Sequence, residues 1–66
     1  MARRVELKNS RQGKGYTQLS LAEKIGCKER AITLIETGRL SPTYGLACRI
    51  AEALGEPREK LFPEFN

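Results

Sequence analysis

Two stretches of helical periodicity stand only two residues apart in this sequence. The first runs from about Gln18 to Ile25 and the second from about Lys28 to Glu36, with Gly26-Cys27 between them. So short a link forces the two helices to cross steeply. It also needs a backbone twist that Gly26 supplies with positive φ. Ala22 is small and lets the second helix approach the first closely, and Ile32 and Ile35 fill the angle between them. On the first helix two apolar stripes are open, Leu19 with Ala22 and Ile25, or Leu21 with Ile25. The face of the second helix left outward carries Lys28, Glu29, Arg30, Thr33 and Leu34.

The rest of the chain follows the same plan. Gly13, Gly15, Gly26, Gly38 and Gly55 fall between apolar-periodic stretches, and there is one valine and no sustained alternation to suggest a strand. A helix is predicted from about Val5 to Gln12, with Leu7 and Arg11 on one face. After the central pair, Gly38 serves as a left-handed cap. A fourth helix is predicted from about Thr43 to Leu54, capped by Ser41 or Thr43, with Tyr44, Ala47, Ile50, Ala51 and Leu54 on one stripe. A fifth follows Pro57 and turns Leu61 and Phe62 inward. At 66 residues the chain is read as one domain over residues 1–66. The expected fold is all-α, a compact five-helix bundle around a helix-turn-helix at about residues 18–37.

Composition excludes more than it specifies. A chain of this size buries only about 60% of its extended surface, which leaves no volume for a deep substrate pocket. It has no histidine, no convergent acid pair and no phosphate-cradling glycine loop, so an enzyme is not expected, nor a cofactor. Cys27 and Cys48 are too few for a zinc site and read as packing residues, so no metal is expected. No apolar run approaches membrane-spanning length and no hydrophobic signal segment follows Met1, which points to the cytoplasm and to reduced thiols. Charge is uneven. Ten basic residues face four glutamates as far as Ala51, whereas the tail sets Glu52, Glu56, Glu59 and Glu64 against Arg58 and Lys60. A basic body suits a polyanion, although many small domains carry such a balance for solubility. Arg3 and Arg4 form a short basic arm, read as a solvated terminus ahead of a phosphate or minor-groove contact.

The outward face of the third helix has two readings, a plain solvated surface or a reader of base edges. The run Tyr16-Thr17-Gln18-Leu19-Ser20-Leu21-Ala22-Glu23-Lys24-Ile25-Gly26, then Ala31 to Arg39, Ser41-Pro42-Thr43, Ile50 to Gly55 and Leu61-Phe62, resembles the Cro-like phage-repressor family, also called the xenobiotic-response-element family. The resemblance covers about residues 5 to 62.

What it implies is a sequence-specific double-stranded DNA-binding regulator without enzymatic activity. Gln18 matches a glutamine that contacts phosphate and braces the reading helix. Lys28, Glu29, Arg30, Thr33 and Leu34 match positions facing base edges or flanking phosphates. Arg30 would pair with guanine O6 and N7, Glu29 would accept from cytosine N4 or orient Arg30, and Leu34 would meet a thymine methyl. Arg39 and Thr43 match backbone-contacting positions. Arg11 and Glu36 match an ion pair between the first helix and the end of the third, the alternative being two independent surface charges.

Two departures bear on geometry. The family usually has Ser or Thr where Lys28 stands, and lysine cannot cap that helix, whose start then frays or is held by phosphate. Ser20 stands where a glutamate often completes a capping box with Thr17. The expected partners are DNA and a second copy of the chain, Phe65 being a free aromatic suited to a dimer contact. Two copies would read a palindrome as a small repressor or controller, with RNA polymerase or a cognate toxin as the remaining partner classes. The alternative is an antitoxin or adaptor of the same shape that docks through its acidic tail and Phe65.

Overall fold

The computed structural model describes residues 4–65. The elements are α1 (Val5–Gly13), α2 (Gln18–Ile25), α3 (Glu29–Glu36), α4 (Tyr44–Leu54) and α5 (Arg58–Leu61), followed by a single 3-10 turn at Pro63–Phe65. No strand occurs among the described residues. No described helix is long and apolar enough to cross a membrane. The radius of gyration is 10.3 Å, close to the roughly 10.5 Å of a well-packed chain this long.

Helix ends account for the spacing of the glycines. Gly15, Gly26, Gly38 and Gly55 all take positive φ. The residue after each donates its N–H five residues back: Tyr16 to Arg11 O, Cys27 to Ala22 O, Arg39 to Leu34 O and Glu56 to Ala51 O, at 2.9–3.1 Å. That bond turns the chain out of a helix whose last residue is left-handed. At Gly26 the requirement is conformational only, since φ is 81° and a Cβ there would meet nothing within 4 Å. Gly26→Ala is therefore expected to cost about 1–2 kcal/mol through backbone strain alone. The check is a lowered urea midpoint at unchanged m-value; an unmoved midpoint would mean that the α2–α3 link does not need this conformation.

Helix starts differ in how firmly they are held. Thr17 Oγ1 accepts from Ser20 N at 2.9 Å, and Ser20 Oγ accepts from Thr17 N at 2.8 Å. Ser20 thus completes a capping box with a side chain shorter than the glutamate often found there, so this departure from the family pattern leaves the start of α2 held. Of the two residues offered as cap for α4, Thr43 takes the role, accepting from Leu46 N at 3.2 Å. α3 begins at Glu29, one residue later than predicted, and Lys28 precedes it with no side-chain cap.

The core is made of Leu7, Leu21, Ala22, Ile32, Ile35, Ala47, Ile50, Ala51, Leu54, Leu61 and Phe62, all buried. On α2 the chain chooses Leu21 and Ala22 as the inner pair. Leu19 is left exposed, and Ile25 packs from the edge. Tyr44 is also exposed, off the stripe assigned to it, with Arg58 over its ring at 4.8 Å and Phe65 edge-on at 5.6 Å. Phe65 is therefore half-buried, with one edge packed against its own chain.

The segment around Arg4 is also tied down. Arg4 N donates to Glu36 O at 2.9 Å, its guanidinium lies 4.9 Å above the Phe62 ring, and it pairs with Glu64. Hydrogen bonding to that guanidinium holds the Glu64 carboxyl below the usual carboxylate range. Arg4 is a clamp between the two ends of the chain, not a solvated arm; Arg3 lies outside the described residues.

Candidate nucleic-acid interface

The α2–α3 pair presents a polar surface through a chain of hydrogen bonds that begins in the core. Arg11, on α1, meets Glu36, at the end of α3, through Nε to Oε2 at 2.5 Å and Nη2 to Oε1 at 3.2 Å. Their side chains are only 8% and 5% exposed, so the pair is a buried fork. Arg11 Nη1 also donates to Tyr16 O at 2.8 Å, which fixes the link between α1 and α2. Gln18 stands at the first position of α2. Its Nε2 donates to Glu36 Oε1 at 3.2 Å, and its Oε1 accepts from Thr33 Oγ1 at 2.8 Å. Three helices are thereby joined by polar bonds as well as by packing, and α3 is held at both its middle and its end.

Beyond that network α3 faces outward. Lys28, Glu29 and Arg30 are exposed around its first turn. No ion pair involves Glu29 or Arg30 among the described residues, as suits neighbours in sequence that point apart on a helix. Thr33 and Leu34 are half-buried. Thr33 is partly covered by Gln18, and the Leu34 carbonyl accepts from Arg39 N and Leu40 N in the turn that ends α3. Arg39 and Thr43 are exposed on either side of the α3–α4 connection, with the Thr43 oxygen engaged in its cap. The structure thus brings Gln18, Thr33 and Glu36 into one bonded set. It leaves Lys28, Glu29, Arg30, Arg39 and Thr43 open to solvent.

Features outside this face are mostly used internally. Glu56 accepts from Ser10 Oγ at 2.9 Å and pairs with Lys60 at 3.3 Å. The Ser10 hydroxyl, then Lys60, pulls its carboxyl below the usual range. Cys27 is half-buried, and burial pushes its thiol up against the opposing charge of Arg49, so it is poorly suited to act as a thiolate.

A helix-turn-helix family model matches residues 7–61, from within α1 to the end of α5. The chain belongs to the Cro-like helix-turn-helix family. Two curated relatives are similar over most of their length, and both are named uncharacterized HTH-type transcriptional regulators. One, from Methanothermobacter thermautotrophicus, is 44% identical over 52 residues, 79% of this chain and 75% of the relative. The other, from Archaeoglobus fulgidus, is 34% identical over 59 residues, 89% of this chain and 84% of the relative. DNA-binding regulators of transcription form the class in which this helix-turn-helix protein falls.

Proposed function

We propose that this helix-turn-helix protein is a small dimeric repressor or controller of transcription, acting in the cytoplasm. It reads a palindromic operator with α3 in the major groove. The observation that carries the reading is the rigid presentation of α3. Its inner side is packed through Ile32 and Ile35, its end is bonded to Arg11 through Glu36, and its middle is bonded to Gln18. Its outer side keeps Lys28, Glu29 and Arg30 exposed. Eight residues make a helix about 12 Å long, enough to lie along about four base pairs.

Size argues for two copies. The longest extent of the chain is 26 Å, whereas successive major grooves on one face of a duplex lie about 34 Å apart. One copy therefore reaches one half-site, and a dyad-related second copy supplies the other. Gln18, Arg39, Thr43 and Lys28 take phosphates, which set register without reading sequence. Arg30 and Glu29 take base edges, with Thr33 and Leu34 behind them. Residues 1–66 act as one binding unit in this reading. The adaptor alternative has less to stand on, because Glu56, Glu64 and Phe65 of the tail are occupied within the chain.

Selection of bound duplexes from random sequence tests the proposal. The expected product is a palindrome whose half-sites lie about one helical turn apart, bound with an affinity that falls steeply with salt as counterions are released. Recovery of no duplex above background sinks it. On the selected operator, Arg30→Ala is expected to cost about 1–3 kcal/mol and to blur preference at one base pair. Titration against cognate and scrambled duplexes measures this, and an equal loss on both would make Arg30 a phosphate contact.

A further inference from the structure

We infer that the buried Arg11–Glu36 pair dictates, through Gln18, which way the Thr33 hydroxyl points its hydrogen, and thereby makes Thr33 a reader of amino groups on base edges. The inference rests on the reading that α3 enters the groove. It follows from counting donors and acceptors. Glu36 accepts from two guanidinium nitrogens of Arg11, and a carboxylate oxygen such as its Oε1 has only lone pairs to offer. The Gln18 amide therefore turns its NH2 toward Glu36, because its oxygen there would face another acceptor. With the amide so oriented, Gln18 Oε1 is the atom that faces Thr33, and the hydroxyl donates to it at 2.8 Å.

Thr33 has one hydroxyl hydrogen, and it is now directed into the protein. The other acceptor nearby, Glu29 O, lies at 3.3 Å, beyond the usual O–H···O range, so Gln18 rather than the backbone fixes the hydrogen. What Thr33 can offer outward is a lone pair. An acceptor in the major groove finds its partner in adenine N6 or cytosine N4, and it is mismatched against guanine O6 or thymine O4. A free hydroxyl rotates to suit either kind of base. The buried charge pair removes that freedom, so a structural device in the core acts as a specificity-determining one at the surface.

Operators selected by the wild-type protein and by Thr33→Val locate the position that Thr33 reads. Duplexes are then made with the exocyclic amino group deleted there, by purine in place of adenine or 2-pyrimidinone in place of cytosine. The wild type is expected to lose about fivefold to tenfold in affinity on that deletion, the worth of one net hydrogen bond, and Thr33→Val to lose nothing. Loss instead on analogues lacking guanine O6 or thymine O4 overturns the assignment. Glu36→Gln and Gln18→Met are each expected to relax amino-against-keto discrimination at this position to within about twofold. Gln18→Met leaves the core intact should Glu36→Gln fail to fold, and full discrimination retained in it overturns the relay. In the free protein, proton NMR is expected to resolve a slowly exchanging Thr33 hydroxyl hydrogen close to Gln18. A hydroxyl averaged with water overturns the relay whatever the DNA results. Absence of all duplex binding overturns the regulator reading instead, and the hydroxyl resonance then decides the relay by itself.

Discussion

Phe62→Ala is expected to remove a large share of the protein's stability and to lower its thermal midpoint steeply. Phe62 is the largest of the fully buried side chains, and it lies where α5 closes the bundle under the Arg4 guanidinium. Its replacement removes an aromatic ring from a core of eleven apolar side chains. A change of this kind costs about 3–5 kcal/mol, because a cavity is left beside the lost transfer energy. A chain of 66 residues has about 3–10 kcal/mol of total stability at the usual amount per residue. The loss is thus about a third of the whole or more. The clamp is weakened as well, since Arg4 loses the ring it covers and keeps its ion pair with Glu64, its side-chain bond to Leu61 O and its backbone bond to Glu36 O. Thermal unfolding followed by circular dichroism is the check. A midpoint within a few degrees of the wild type would mean that α5 packs against the bundle without contributing to its stability.

Much of this architecture was legible from local chemistry. A glycine that must take positive φ ends a helix wherever it stands, so Gly26, Gly38 and Gly55 placed three helix ends without any knowledge of tertiary structure. Thr17 placed one start in the same way, and Ser41 or Thr43 narrowed a second to two candidates, of which Thr43 caps the helix. The choice between Leu19 and Leu21 was not legible, because either residue shares a helical stripe with Ile25, and only the approach of α3 and α4 selects one. Arg4 was misread for a related reason. Its partners, Glu36 O, Phe62 and Glu64, lie far along the chain, and no local pattern announces a contact of that span. Tyr44 was placed on the core stripe by periodicity, but α4 begins there, beyond the reach of the core, and the ring is covered by Phe65 and Arg58 instead. On the candidate interface, the family resemblance pointed to Gln18 and Thr33 separately. That they are bonded to each other depends on the crossing of α2 and α3, which two residues of link imply but do not orient.

Glu36→Ala is expected to be as damaging to stability as any change in the core, about 3–5 kcal/mol, for the opposite reason. It removes few apolar contacts. It leaves the Arg11 guanidinium, on a side chain only 8% exposed, without its carboxylate and with Tyr16 O as its remaining acceptor. A buried cation without a counter-charge is what makes the single substitution costly, so the cost does not measure what the pair contributes. Removing both charges together separates the two quantities. Arg11→Met with Glu36→Leu fills similar volume with apolar side chains, and such exchanges are commonly neutral or stabilising. The double variant is therefore expected to recover most of the stability lost in Glu36→Ala, as read from urea midpoints of the two proteins side by side. If it unfolds as readily as the single variant, the fork is a net source of stability, and its presence needs no further reason. If it recovers, the fold does not require these charges. The chain then bears the desolvation of two ions in a thin core for something other than stability, and the bonds from Glu36 through Gln18 to Thr33 offer the orientation of the α3 surface as that reason.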